Sequence, residues 1–342
     1  MKSTHELIKE QYSEIIKRNR YFLHIIISLS IILVITYFVS LIFIGRYRVD
    51  LFAWLSGDSR SMLILNIRIP RVSLALLSGV LLAASGAAMQ AIFRNPLASP
   101  DIIGVSQGAA FGAALGILII SDNYLLIESI SFLFGLVSLI VTLSLSRLFR
   151  YGDEILRIIL AGIAVSALFS AGIGFIKYIA DPYNKLPQII FWLLGSFSAT
   201  KWIEFKIYAP LIITSLIVLF LMSWRMNILS LGDELAKALG IKPGVNRFII
   251  IVATVLGVSA VTSVAGVIGW IGLVTPHIAR SLVGSENRGV VVTSALLGGL
   301  LMISADDIAR SLIESELPLN IIISVIMVPL FIFLLSRRRI LK

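Results

Sequence analysis

Long apolar blocks without charge recur along this chain, separated by short polar segments. They run 21–45, 72–93, 102–121, 129–146, 158–176, 186–200, 207–224, 248–279, 289–305 and 317–336. A helix needs about 20 apolar residues to cross the hydrocarbon core, and most of the blocks approach or exceed that length. Block 186–200 is too short and reads as a re-entrant or surface helix. Block 248–279 is too long for one ordinary helix. It carries Gly266 and Gly269, residues that can bend or break a helix, so it divides there into two short spans. The pattern predicts an all-α membrane protein, a ten-helix transmembrane bundle, with nine or eleven crossings as alternative counts. A cytoplasmic segment 1–20 precedes a single transmembrane domain, 21–342, whose longest inner loop is 226–246. The first twenty residues are polar and the run 21–45 exceeds a signal-peptide core, so that run reads as the first span.

Composition agrees. Of 342 residues, 58% are apolar and 14% charged, against about 25% charged in soluble domains. The net charge of +10 does not point to nucleic acid, because the basic residues sit at span ends, where membrane orientation places them. With the N-terminus inside, the Lys and Arg left outside are Arg46, Arg48, Arg60, Arg68, Arg71, Lys177, Lys185, Lys201, Lys206 and Arg310. Lys17, Arg18 and Arg20 at the start and Arg337, Arg338 and Arg339 at the end put both termini in the cytoplasm, which requires an even number of spans. The absence of cysteine excludes disulfides and thiolate metal sites. His24 and His277 have no ligand partners at metal spacing, so no metal site is expected. Trp54, Trp192, Trp202 and Trp224 read as interface anchors.

Several segments carry candidate chemistry. Gly104, Gly108, Gly112 and Gly116 repeat every four residues on the third span and share one face, where a neighbouring backbone can approach closely; a pore-lining or dimer-seam role is the alternative. In the turn 94–100, Pro96 stops one helix and Ser99 is placed to cap the next, with Pro100 at its first position. In the stretch 230–244, Asp233 and Glu234 suit a helix start. Leu235, Ala238 and Leu239 form an apolar stripe at i, i+3, i+4, Gly240 suits the left-handed residue that ends a helix, and Pro243 opens a second short helix. That stripe either packs under the bundle or docks into a groove on a soluble partner. Arg68, Arg71 and Arg310 fall at outer span ends. They read either as snorkelling residues, with an Asp306–Arg310 ion pair at i,i+4, or as an exposed basic docking patch. Asp153, Glu154 and Arg157 read as a solvated helix start. The chain has no nucleotide loop of the G-x-x-x-x-G-K-[ST] kind and no hydrolase motif, so no catalytic residues are assigned.

Taken in order, Arg68-Ile-Pro-Arg71, Ser85-Gly-Ala-Ala-Met-Gln90, Asn95-Pro-Leu-Ala98, Gly104-Val-Ser-Gln-Gly108, Leu160-Ala-Gly162, 233–240, Gly269-Trp-Ile-Gly-Leu-Val-Thr-Pro-His277 and Leu317-Pro-Leu-Asn320 resemble the permease subunits of type II ABC importers. That group carries vitamin B12, ferric siderophores and haem. The resemblance runs from about residue 46 to the C-terminus. It implies ten helices per subunit and a dimer, of identical or related chains, with the pathway at the seam. It makes Asp233, Glu234, Leu235, Ala238, Leu239 and Gly240 the element that receives motion from two cytoplasmic ATP-binding subunits. ATP and Mg would sit on those subunits, and no cofactor on this chain. It makes Arg68, Arg71 and Arg310 contacts for carboxylates of an extracytoplasmic binding protein and places Asn95 and Leu97 near the inner gate. The B12 permease pattern has small hydroxyl residues in the gate before the fifth span; Ile155 and Leu156 stand here instead.

The leading expectation is an inner-membrane importer subunit for a metal chelate, ferric siderophore first, with haem, B12 and molybdate or tungstate open. The alternatives are a secondary carrier using Asp306 or Asp307 as a proton site, and a membrane enzyme or scaffold.

Overall fold

The computed structural model describes residues 4–45, 59–120 and 123–337. Arg46, Arg48, Trp54, Arg338 and Arg339 lie outside the described residues, as do the side chains of Lys17, Arg18, Arg60 and Arg337. The described chain is built of α-helices: α1 (Thr4–Ile42), α2 (Ser59–Ile92), a 3-10 turn (Pro100–Ile103), α3 (Val105–Ile119), α4 (Tyr124–Leu148), α5 (Glu154–Ile179), α6 (Lys185–Leu194), α7 (Trp202–Ser230), α8 (Asp233–Ala238), α9 (Pro243–Ala265), α10 (Ile271–Val283), α11 (Asn287–Ser311) and α12 (Leu319–Arg337).

Eight of these helices are long and apolar enough to cross a membrane; α3, α6 and α10 are apolar but shorter. Among the described residues, eight helices therefore reach spanning length where the blocks predict ten crossings. At about 1.5 Å per residue, the 15 residues of α3 extend about 22 Å, less than the hydrocarbon thickness of about 30 Å. The packing explains the short length. The carbonyl of Ile102 lies against Gly162, where an added Cβ would sit 1.9 Å from it. Gly162 is two turns inside α5, so the turn before α3 is tucked into the bundle rather than lying at its edge.

Block 248–279 breaks where its glycines stand. Helix α9 ends at Ala265, Gly266 takes φ 72°, and α10 begins at Ile271. Trp270, at φ 66°, is a non-glycine residue in the left-handed region and marks a strained entry to α10. Block 186–200 forms the ten-residue α6, closed by Gly195 at φ 79°.

The core is a close assembly of α2, α9, α10 and α11 with flanking helices, and small residues bring the backbones together. A Cβ on Gly86 would lie 1.7 Å from the carbonyl oxygen of Gly272. In the membrane-apolar part of α1, by contrast, only 11% is buried inside the chain.

Three local expectations are corrected. Ser99 makes no side-chain cap; it introduces the 3-10 turn, and its hydroxyl turns to Asp101. Pro243 opens the 23-residue α9 rather than a second short helix. Gly108, Gly112 and Gly116 lie on α3 facing α4, whereas Gly104 (φ 85°) precedes the helix and faces Val165 and Ser166 of α5. A Cβ on Gly108 or Gly112 would come within 2.7 Å of a carbonyl oxygen of α4.

Candidate functional site

Two polar junctions stand at opposite ends of the bundle. The first gathers the stretch 230–244. Gly232 and Gly240 take positive φ (110° and 79°) on either side of α8, so the chain reverses between α7 and α9 around one and a half turns of helix. Ala236 is buried beneath it, while Leu235 and Leu239 are 56% and 60% exposed and Ala238 and Glu234 are also exposed. The apolar stripe thus faces away from this chain, with Leu235 and Leu239 uncovered.

Asp233 faces the bundle. Its Oδ1 accepts from Arg247 Nη2 of α9 at 2.8 Å, and Arg247 Nη1 donates to Glu154 Oε2 at 2.5 Å. The Arg247 side chain is 1% exposed. Arg94, at φ 49° beyond the end of α2, reaches Asp233 at 3.7 Å and Asp153 at 3.9 Å. Asp153 caps α5 by accepting from Leu156 N at 2.9 Å. The helix start at Asp153 and Glu154 is therefore more than a solvated one, since Glu154 is tied to a buried arginine. Sequence reading missed Arg247, which lies just before the apolar block that opens at residue 248.

Beside this junction lies the turn that carries Asn95 and Leu97. Asn95 Oδ1 accepts from Leu97 N at 2.9 Å, and Leu97 is 57% exposed. His277 Nε2 of α10 donates to the carbonyl of Pro96 at 2.9 Å, pinning the turn to the broken block. Gln90 ties the same two helices, donating to the carbonyl of Leu273 at 3.1 Å and accepting from Arg280. Ile155 turns into the core, whereas Leu156 is 37% exposed. A cavity of about 240 Å³ opens between the turn and the break, lined by Ser99, Asp101, Ile268, Trp270 and Leu273 among others. Among the described residues no His, Asp and Glu cluster suited to a metal ion occurs.

The second junction holds Arg68, Arg71 and Arg310, and the expected exposed patch is corrected in its geometry: all three are buried, at 6%, 8% and 6% exposure. Arg71 forks onto Asp306, with contacts of 2.8–3.1 Å, and onto Glu316 at 3.0 and 3.1 Å. Arg310 binds Asp307 and the carbonyl of Ser40, and stands 3.8 Å from Asp306. Arg68 donates to the carbonyl of Leu41 at 3.0 Å. The physical reason is the last turn of α1, whose carbonyls have no helical donors; two of the arginines supply them. Asp306 and Asp307, the acids on which a proton-coupled carrier would rest, are engaged by these cations.

Similarity to known proteins decides the family. The model of the FecCD transport family matches residues 30–337. The chain belongs to the FecCD transport family. It is 38% identical over 321 residues to the molybdate import system permease MolB of Haemophilus influenzae, covering 90% of this chain and 94% of that one. It is 36% identical to the hemin transport system permease HmuU of Yersinia pestis, over 83% and 86% of the two chains. It is 38% identical to a Helicobacter pylori protein described as an iron chelatin transport permease, over 82% and 85%. A solved structure described as an inward-facing conformation of a metal-chelate type ABC transporter superposes with a TM-score of 0.84 at 36% identity, over 92% of this chain and 99% of the other. The chain is thus a multi-pass membrane permease of the ABC importer type.

Proposed function

We propose that this permease imports a metal chelate, a ferric siderophore first, by alternating access driven by two separate ATP-binding subunits. The observation that carries the ATPase reading is the uncovered stripe Leu235–Ala238–Leu239 on α8, held at the bundle end by Asp233. A short helix whose apolar stripe no described residue covers suits a groove on a partner. The end of the bundle that holds α8 is then cytoplasmic, both termini lie on that side, and α3 and α10 complete ten crossings. ATP and Mg belong to the partner subunits.

The pathway runs at the seam of two permeases, identical or related. The 240 Å³ cavity beside the turn is smaller than the roughly 300–1,000 Å³ of sites that hold drug-sized ligands, so that cavity alone does not hold a bulky chelate. Leu97 and Leu156, both exposed near the α8 end, suit the inner gate, with Asn95 holding the turn and Ile155 anchoring the start of α5.

At the opposite end an extracytoplasmic binding protein docks. Arg71 offers a cationic contact there, because its partner Glu316 is 29% exposed and can be exchanged for an incoming carboxylate.

The experiment is identification, by mass spectrometry, of the compound retained by the cognate binding protein, followed by its uptake into vesicles containing the assembled complex. Retention and ATP-dependent uptake of a ferric siderophore supports the reading. Retention of haem, a cobalamin or an oxyanion replaces the substrate, and uptake driven by a proton gradient without ATP overturns the mechanism.

A further inference from the structure

Asp233 is the first residue of α8 and Glu154 the first of α5. They are far apart in sequence, yet one buried guanidinium holds both. Arg247 gives Nη2 to Asp233 and Nη1 to Glu154, and its Nε has no hydrogen-bond partner. A planar fork shared between two carboxylates fixes direction as well as distance. Arg247 is almost fully enclosed and belongs to the long helix α9, so it has no freedom to follow one carboxylate and leave the other unchanged.

The same Asp233 carboxylate meets Arg94, which extends the connection to the turn of Asn95 and Leu97 and to Asp153. A displacement of α8 must therefore break charge-assisted bonds around a buried cation or carry the start of α5 and the turn 94–97 along. Breaking them would leave a desolvated charge uncompensated, which is strongly unfavourable; carrying them along preserves the pairing. Leu156 lies two residues beyond Glu154 and Leu97 three beyond Arg94, so both exposed apolar side chains ride on the elements that move.

We infer that Arg247 is the positioning residue that ties the movement of α8 to the inner end of α5, so that the gate side chain Leu156 follows the state of the partner ATPase. This rests on the reading of α8 as the coupling element.

The chain has no cysteine, so a single introduced thiol is the one reactive thiol of this subunit, and its labelling is read on the separated permease chain. In the assembled permease–ATPase complex, Leu156→Cys is reacted with a charged methanethiosulfonate reagent, with and without ATP under non-hydrolysing conditions. The expected result is a modification rate that depends on nucleotide in the parent and loses that dependence in Arg247→Lys, Glu154→Gln and Asp233→Asn; in Glu154→Gln, which lies outside the α8 docking element, nucleotide binding and complex assembly persist. Because all three act through one group, the Glu154→Gln/Asp233→Asn double variant is expected to lose no more than either single variant. Glu154 is 45% exposed, so its isosteric replacement tests the idea even if Arg247→Lys fails to assemble. A nucleotide response retained in Glu154→Gln overturns the inference, as does simple additivity of the two carboxamide variants. A parent complex with no nucleotide response at residue 156 sinks the coupling reading beneath it.

Discussion

Gly79 of α2 and Gly298 of α11 meet backbone to backbone: a Cβ on Gly79 would stand 2.2 Å from the carbonyl oxygen of Gly298, and one on Gly298 2.3 Å from that of Gly79. Alanine at either position forces the two helices apart along the seam that also places Arg71 against Asp306. Gly79→Ala and Gly298→Ala are each expected to cost about 1–3 kcal/mol by overpacking. Gly174→Ala on α5, where an added Cβ meets nothing within 4 Å, is expected to be neutral or stabilising by up to about 1 kcal/mol through helix propensity. Thermal unfolding of the purified permease in detergent separates the cases.

The Arg71–Asp306 pair allows a second test. Asp306 is 1% exposed and its other cation, Arg310, stands 3.8 Å away, so Arg71→Met removes the hydrogen-bonded partner of a buried carboxylate, and a loss of up to about 3–5 kcal/mol is expected. Replacing both partners, Arg71→Met with Asp306→Leu, is expected to recover part of that loss. If the single variant unfolds no earlier than the parent, the pair does not support the fold.

Docking is tested at Glu316, because reversing three buried arginines would first unfold the protein. Glu316 sits at φ 52° and occupies one side of the Arg71 fork. Glu316→Gln removes the intramolecular carboxylate, and tighter association with the binding protein is expected, most clearly at low salt, where charge interactions reach furthest. Unchanged affinity in a titration across salt concentrations removes Arg71 from the docking surface.

Glu128 is buried on α4, at 7% exposure, with Oε2 lacking a hydrogen-bond partner and Glu204 close enough to repel it. Burial and Glu204 both penalise a charge at this site, and an amide keeps the shape and can still accept from the neighbouring Tyr208, so Glu128→Gln is expected to leave stability unchanged or raise it. A clear fall in the unfolding temperature would instead mean that the carboxylate has a partner essential to the fold.

Much of this architecture is written in the apolar blocks, because lipid allows only helices with fully satisfied backbones across its core. Gly266 and Gly269 mark the break in the longest block, and Gly240 marks the end of α8. Burial of the arginines was not legible. Charge at a span end looks the same whether it meets water or a partner brought by the fold, and Arg68 and Arg310 reach carbonyls of α1, remote in sequence. Arg247 was hidden for a related reason: its two carboxylates come from separate elements, so no local spacing announces them. Glu128 escaped notice because it lies just outside a charge-free block, one turn inside the helix that forms there.

The stripe on α8 bears the functional claim. Leu235→Asp and Leu239→Asp alter exposed side chains, so little change in the stability of the permease is expected, whereas ATPase association is expected to fail. The most direct measurement is site-specific photo-crosslinking from residue 239 in the intact membrane complex. Capture of an ATP-binding subunit, abolished by Leu235→Asp, is the predicted result. Crosslinks only to lipid or to this chain itself would contradict it.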